Sequence, residues 1–352
     1  MFVSSDNQDY QIRVEPVARD DYRSLKTIWE SQHGRLAHSS APATLVDESV
    51  KRVIWLFKLY KNSTLVAYFP FEVKSFLGLR IIVPAYSELT LDFIDIACEP
   101  SLEGECAQIF LEWLKEQKNC IAYLFMLDEN CDLVKRAVRD PSMEVEARGK
   151  YFYTDLPSSK EEFFNSLSPS TKKSFKRQLK RFEGEMYLEI VEKNLLGDEL
   201  ETAISDLVLL HSELFPVGSA MLPHLEDLKP WLRKAFSDGA AFLVRTREIR
   251  TGEVVASELM IKTDTVIGLM QSGRKVDERY SGIGSWQLNS LVLWAIENGK
   301  TKFEYLFGDQ EYKRRLSSGE KNAVSITYFS STWAKFVFKI RRRLGKYFSF
   351  LR

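Results

Sequence analysis

The chain has 352 residues, 45% of them hydrophobic and 28% charged, with 49 basic against 49 acidic side chains. That length exceeds one ordinary core and suits two domains of about 150–200 residues each. Zero formal net charge excludes a protein that coats polyanions with its whole surface, so any anion binding has to sit in local clusters.

The four cysteines (Cys98, Cys106, Cys120, Cys131) all fall in the first half, at spacings that match no zinc pattern, and are expected to be reduced thiols of a cytoplasmic protein. The four histidines (33, 38, 211, 224) form no close-spaced ligand pair, so no metal is expected. The first nine residues have neither a basic region nor an apolar region of secretory type, and no secretory leader is expected. No apolar run nears the roughly 20 residues that span a bilayer.

In chain order, alternation predicts a short strand over 11–17, and Asp20 is placed to cap a helix reaching about residue 32. Residues 34–44, rich in Ser, Ala and His, read as a loop. Residues 53–60 and 65–73 read as a hairpin turning at Lys61, Asn62 and Ser63, followed by an extended run over 80–83. Helical spacing of Ala107, Phe110, Leu111 and Leu114 marks 103–117. Residues 121–127 form an apolar strand of the buried parallel type, 128–138 a helix and 151–156 an exit strand.

The second half repeats that order. Ser168 and Pro169 open a helix to about Phe182, as N-cap and first helical residue. A strand follows at 186–191, then amphipathic helices at 200–214 and 225–236. The runs 241–247, 254–262 and 266–271 form a three-stranded meander. A helix from Trp286 to Asn298, a strand over 303–307, a short helix over 310–315 and a closing strand over 323–329 complete it. The domain reading is 1–157, 158–330 and a C-terminal helical segment, 331–352.

Between the meander and its helix lies Arg279-Tyr-Ser-Gly-Ile-Gly-Ser285. A strand, a glycine turn and a helix start present backbone N–H groups to an anion, and Gly282 and Gly284 let it come close. An ordinary tight turn has the same composition.

This order resembles the GNAT acyltransferase core, in which an R-x-x-G-x-G loop holds the pyrophosphate of acyl-coenzyme A; Arg279, Gly282 and Gly284 match it. Phe303-Glu-Tyr-Leu-Phe-Gly-Asp-Gln-Glu-Tyr-Lys313 resembles the G-D-x-x-Y-K signature of the CelD-like or BioF2-like acetyltransferase branch. That branch is similar to FemAB-type aminoacyl transferases in having two GNAT-like halves. The basic helix from Ser170 to Arg181 and the pair Leu210-His211 are weaker echoes, as are Gly78-Leu-Arg-Ile and Leu91-Asp-Phe-Ile94 in the first half. The resemblance implies an α/β (α+β mixed sheet) class, with tandem GNAT-like domains, each a mixed, mostly antiparallel sheet flanked by helices. The first domain lacks a G-x-G and is read as degenerate.

It also implies acyl-CoA, acetyl-CoA above all, as co-substrate, held by Arg279, Ser281, Gly282, Ile283, Gly284 and Ser285, with backbone N–H groups of Gln271 and Ser272 polarising the carbonyl. N-acyl transfer further needs a base for the amine and a proton for the thiolate. Asp309 and Lys313 would share a helix face if Asp309 begins the short helix, either as a cap with an exposed ion pair or as groups that handle the amine and an acidic substrate group. Tyr312 is the natural proton donor, or a packing residue. Glu258 interrupts an apolar strand, as a base or pointing to solvent. His211 sits among leucines, as a proton carrier or a core histidine.

Two basic segments remain. Lys172, Lys173, Lys176, Arg177, Lys180 and Arg181 form either a solvated face or a surface that steers CoA phosphates, a lipid-linked substrate or tRNA. Trp333, Phe336, Val337, Ile340, Leu344, Tyr347, Phe348 and Leu351 follow helical spacing amid seven cations and no acid, which suits either an anionic membrane on the inner face of the cell or docking on the protein itself. The expectation is an N-acyltransferase acting on a small-molecule or lipid-linked amine, an amino sugar or precursor of envelope or exopolysaccharide. The alternatives are a FemAB-like transferase using aminoacyl-tRNA, the only nucleic acid expected, and a catalytically silent GNAT-fold binding protein at the membrane.

Overall fold

The computed structural model describes residues 6–7, 9–31, 42–45, 53–86, 89, 95–192, 198–217, 219 and 221–344. His33, His38, Leu91 to Ile94, Tyr347, Phe348 and Leu351 lie outside them. The first elements are β1 (Tyr10–Pro16), α1 (Tyr22–Ser31), β2 (Trp55–Lys61), β3 (Thr64–Phe76), β4 (Leu79–Pro84), α2 (Glu103–Glu116), β5 (Cys120–Asp128), α3 (Asp132–Ala137) and β6 (Met143–Asp155). Then come α4 (Lys160–Ser166), α5 (Pro169–Arg181), β7 (Met186–Val191), α6 (Asp198–Leu214), α7 (Leu225–Ser237), β8 (Ala241–Glu248), β9 (Val254–Lys262) and β10 (Val266–Arg274). The last are α8 (Ile283–Glu297), β11 (Lys302–Phe307), α9 (Glu311–Leu316), β12 (Gly319–Phe329) and α10 (Thr332–Leu344).

Contacts divide the chain into two compact units, the second running Lys150–Glu320. The first holds the earlier elements and, from Lys321 onward, most of β12 and all of α10. In the first unit β1, β2, β3 and β4 form an antiparallel meander, β4 pairs in parallel with β5, and β12 closes antiparallel on β5. Phe57, Phe69, Phe110 and Trp113 fill its core, with ring centroids 4.8–5.6 Å apart. All four cysteines are buried and unbridged there.

The second unit repeats the plan. β7, β8, β9 and β10 run antiparallel, β10 pairs in parallel with β11, and the end of β6 lies antiparallel to β11. Its core packs Phe163 and Phe175 from α4 and α5, and Leu291, Val292 and Ala295 from α8, against Phe242, Met260 and Ile267 of the sheet.

Several expectations shift. The cap near residue 20 is made by Asp21, whose carboxylate accepts from the Ala18 N–H at 2.8 Å, and a 3-10 turn over Arg19–Asp21 precedes α1. Pro42–Leu45 is a helical turn inside the expected loop. The helix expected over 128–138 shrinks to α3, since Asp128 accepts from Asn130 N in a turn. β6 begins at Met143, eight residues early, because its polar alternation through Glu144, Glu146 and Arg148 hides a half-exposed strand. α4 was missed; Ser159 caps it by accepting from Glu162 N at 3.2 Å.

Candidate active site

The site begins with a strand that departs from its neighbour. β10 pairs with β11 only from Val266 to Gly268, opposite Lys302 to Glu304, and the two then part. Met270 is an extra residue against β9, since Leu259 faces Gln271 while Met260 faces Leu269. Such a bulge re-aims the strand beyond it. The cleft that results holds about 280 Å³ and is bordered by Glu258, Leu269, Ser272, Gly273, Arg274, Gly284, Ser285, Gln310 and Tyr312, with Leu214 and Phe215 from the end of α6.

Glu258 lies on β9 opposite Ser272. It is 3% exposed, and its Oε2 has no hydrogen-bond partner among the described residues. Burial pushes its carboxyl up to about 8, with Arg274 pulling the other way. The solvent-facing alternative fails because β9 is covered on both faces, with Val255 to Ile261 all buried. Tyr312 projects from α9 into the same cleft; burial, reinforced by Glu258, pushes its phenol up to about 12, so it stays a proton donor.

The loop meets the requirements of an anion cradle. Gly282 is the N-cap of α8 at φ 91°, a left-handed conformation that suits glycine, and no side chain caps the helix. The N–H groups of Ile283, Gly284 and Ser285 therefore open the helix without intrahelical acceptors. A Cβ on Gly282 would come 3.1 Å from Arg181 Nη1, and one on Gly284 would overlap the Arg274 guanidinium. Two cations thus lie over the two glycines, and neither was singled out for the loop from the R-x-x-G-x-G pattern. Arg279, expected to hold phosphate, instead pairs with the buried Glu248 and lies over the Tyr280 ring at 5.3 Å.

Ser285 borders this cleft and two others. One, of about 580 Å³, is a groove between Gly282 and the α5 cations Lys176, Arg177, Lys180 and Arg181. Among the described residues none of these four has an ion-pair partner. The other, about 140 Å³, is lined by Ser170, Thr171, Ser174, Gln178, Asn289, Tyr312 and Arg315. Asn289 donates to Gln178 Oε1 at 2.7 Å, while its fully buried Oδ1 has no partner among the described residues. Basic groove, glycine loop and Glu258 chamber therefore adjoin at one serine.

The remaining expected residues lie elsewhere or act differently. α9 begins at Glu311, so Asp309 precedes it, exposed, and its carboxylate accepts from Arg314 at 2.6 and 2.5 Å. Lys313 turns inward, donating to the Phe307 carbonyl at 2.6 Å, so the shared Asp309–Lys313 face does not form. His211 is buried: Nδ1 lies 2.8 Å from the Ser272 carbonyl and Nε2 2.9 Å from Ser219 Oγ. Ser219 Oγ accepts from the N–H groups of Met221 and Leu222, so its proton goes to Nε2 and Nδ1–H serves Ser272. Burial lowers this imidazole's pKa, and it is a neutral pin between α6 and β10. Ser272 borders the cleft, while Gln271 pairs with Leu259 on β9. Ser281 is exposed and donates its N–H to the Glu278 carbonyl. Among the described residues no group of three His, Cys, Asp or Glu could hold a metal ion.

Residues 169–314 match the family model described as acetyltransferase (GNAT) domain. No curated protein matches closely enough to count as a relative. Among solved structures, FemX is similar at 8% identity and TM-score 0.63, covering 92% of this chain and 99% of its own. L-PGS from Bacillus licheniformis is similar at 12% identity and TM-score 0.58, covering 92% and 96%. The C-terminal DUF2156 domain of an Agrobacterium fabrum protein assigned as a lysylphosphatidylglycerol synthetase is similar at 9% identity and TM-score 0.59, covering 91% and 94%. At these identities the likeness is one of fold.

Proposed function

We propose, from the acetyltransferase (GNAT) domain over residues 169–314 and a fold similar to that of FemX, that this domain moves an acetyl group from acetyl-CoA to the amine of an amino sugar or similar envelope precursor. The observation that carries the reading is that the uncapped α8 N-terminus borders both the basic groove and the Glu258 chamber, with Ser285 lining each. The donor's phosphates sit on the N–H groups of Ile283, Gly284 and Ser285, with Arg181 and Arg274 supplying charge. The thioester lies where β10 and β11 part, with Tyr312 beside its sulfur.

In the reaction Glu258 takes a proton from the bound ammonium, and the free amine attacks the carbonyl carbon. The C–N bond forms, the C–S bond breaks, Tyr312 protonates the leaving thiolate, and the second proton shed by the amine nitrogen restores the Tyr312 phenol, so the one proton released overall rests on Glu258. The small cavity of Ser170, Thr171, Ser174 and Arg315 supports a hydroxyl-rich acceptor, because it offers hydroxyls and one cation.

A second reading, with aminoacyl-tRNA as donor, is favoured by the open groove along α5 and its cations without ion-pair partners. Thiol release from acetyl-CoA across a panel of amino sugars tests the first. Wild type should turn over with at least one, Glu258→Gln should lose about 10²–10⁴-fold, and Asp309→Asn should stay within about threefold. No release with any amino sugar, alongside potent competition by tRNA for the groove, would replace the first reading with the second.

A further inference from the structure

We propose that the outer face of α10 seats the protein on an anionic lipid surface. The sequence left two uses for this helix, and the structure divides its residues between them. Ala334, Val337 and Phe338 are buried with Leu79 and Ile121 of the first unit, and Phe76, Tyr123 and Phe329 pack on the same cluster. Lys335 pairs with Glu144 at 2.5 Å and Arg342 with Glu146 at 3.0 Å, fastening the helix at two points. Trp333, Phe336 and Ile340, at helical spacing i, i+3 and i+7, remain 53%, 53% and 39% exposed. The rings of Trp333 and Phe336 lie 5.8 Å apart, forming one apolar ridge.

Leu77, 63% exposed, follows Phe76 in the turn before β4. A docked helix with a full inner face has no structural need for a second apolar face, and exposing aromatic surface to water costs free energy.

Charge selects the occupant. From Thr332 to Leu344 the sequence carries Lys335, Lys339, Arg341, Arg342 and Arg343 and no acid. A second copy packed by twofold symmetry would bring these cations against their equivalents. An anionic bilayer complements them, while Trp and Phe rings enter the headgroup boundary. The face does not span: among the described residues no helix is long and apolar enough to cross a membrane.

Co-sedimentation of the full chain with phosphatidylcholine vesicles, with and without about 30% phosphatidylglycerol, tests this. Binding should require the anionic lipid and weaken with salt. The triple variant Trp333→Ser, Phe336→Ser, Ile340→Ser should bind at least about tenfold more weakly, with unchanged thermal unfolding because the three side chains face outward. Lys339→Glu with Arg343→Glu should also weaken binding and flatten its salt dependence. Equal sedimentation of wild type and the triple variant would overturn the proposal. So would a vesicle-independent dimer that the triple variant dissolves, which would assign the face to a second copy.

Discussion

At the scale of single residues, the site turns on one carboxyl kept from water. Glu258 has a folded pKa of about 8 against an ordinary value of 4.5. The folded state therefore holds this proton more tightly than the unfolded chain does. That contribution is complete below pH 4.5 and is lost as pH rises through 8. Glu258→Gln, which never ionises, should match wild type in stability near pH 5 and exceed it by about 2–5 kcal/mol near pH 9. Urea unfolding at the two pH values checks this, and a difference that ignores pH would mean the carboxylate is solvated. The sequence offered Asp309, Glu258 and His211 as bases on equal terms because each lies in a credible motif. Their surroundings separate them: Asp309 is exposed and paired with Arg314, both His211 ring nitrogens are bonded, and Glu258 borders the cleft from a strand covered on both faces. Period-two alternation fails for β9 because helices cover one face and the other is sealed too, so apolar residues run through both phases.

At the scale of elements, two close approaches build the cleft. Gly273 lies under α6, where a Cβ would overlap His211 N and come within 2.6 Å of the Leu210 carbonyl carbon. Backbone cannot yield as a side-chain tip can, so Gly273→Ala should destabilise by about 2–3 kcal/mol and displace Ser272; thermal unfolding and turnover together would show it. An alanine there that left both unchanged would mean α6 is free to shift. Arg279 makes the opposite case. Removing it takes a cation from Glu248, so Arg279→Ala should lower the melting temperature while leaving donor affinity nearly intact, as melting and titration would reveal. The glycine loop, the meander and α5 were readable because turn chemistry, period and capping are local. That Arg181 and Arg274 lie over the glycines was not, since which guanidinium reaches a loop depends on packing between distant elements. Arg274 carried only the signal of a cation at a strand end, five residues before Arg279.

At the scale of the whole molecule, the two units share an architecture without a visible repeat in sequence. In each, a parallel strand follows a meander and a helix, and each of these strands bears a non-glycine residue in the left-handed region, Met126 at φ 57° and Leu306 at φ 56°. Such conformations cost free energy and persist where surroundings impose them, so their recurrence is a backbone signature of duplication that side chains no longer carry. The order of elements was legible because strands and helices announce themselves locally. The assignment of Lys321 onward to the first unit was not, because a closing strand reads the same whichever sheet it joins. The loop, the cations and the buried carboxyl of the proposed site all lie in the second unit. Calorimetric titration of acetyl-CoA into wild type and Arg181→Glu tests that claim most directly. The account predicts one saturable, salt-sensitive site, weakened about ten- to a hundredfold by the substitution. Absence of saturable binding to the wild type, or the same Kd for both proteins, would contradict it.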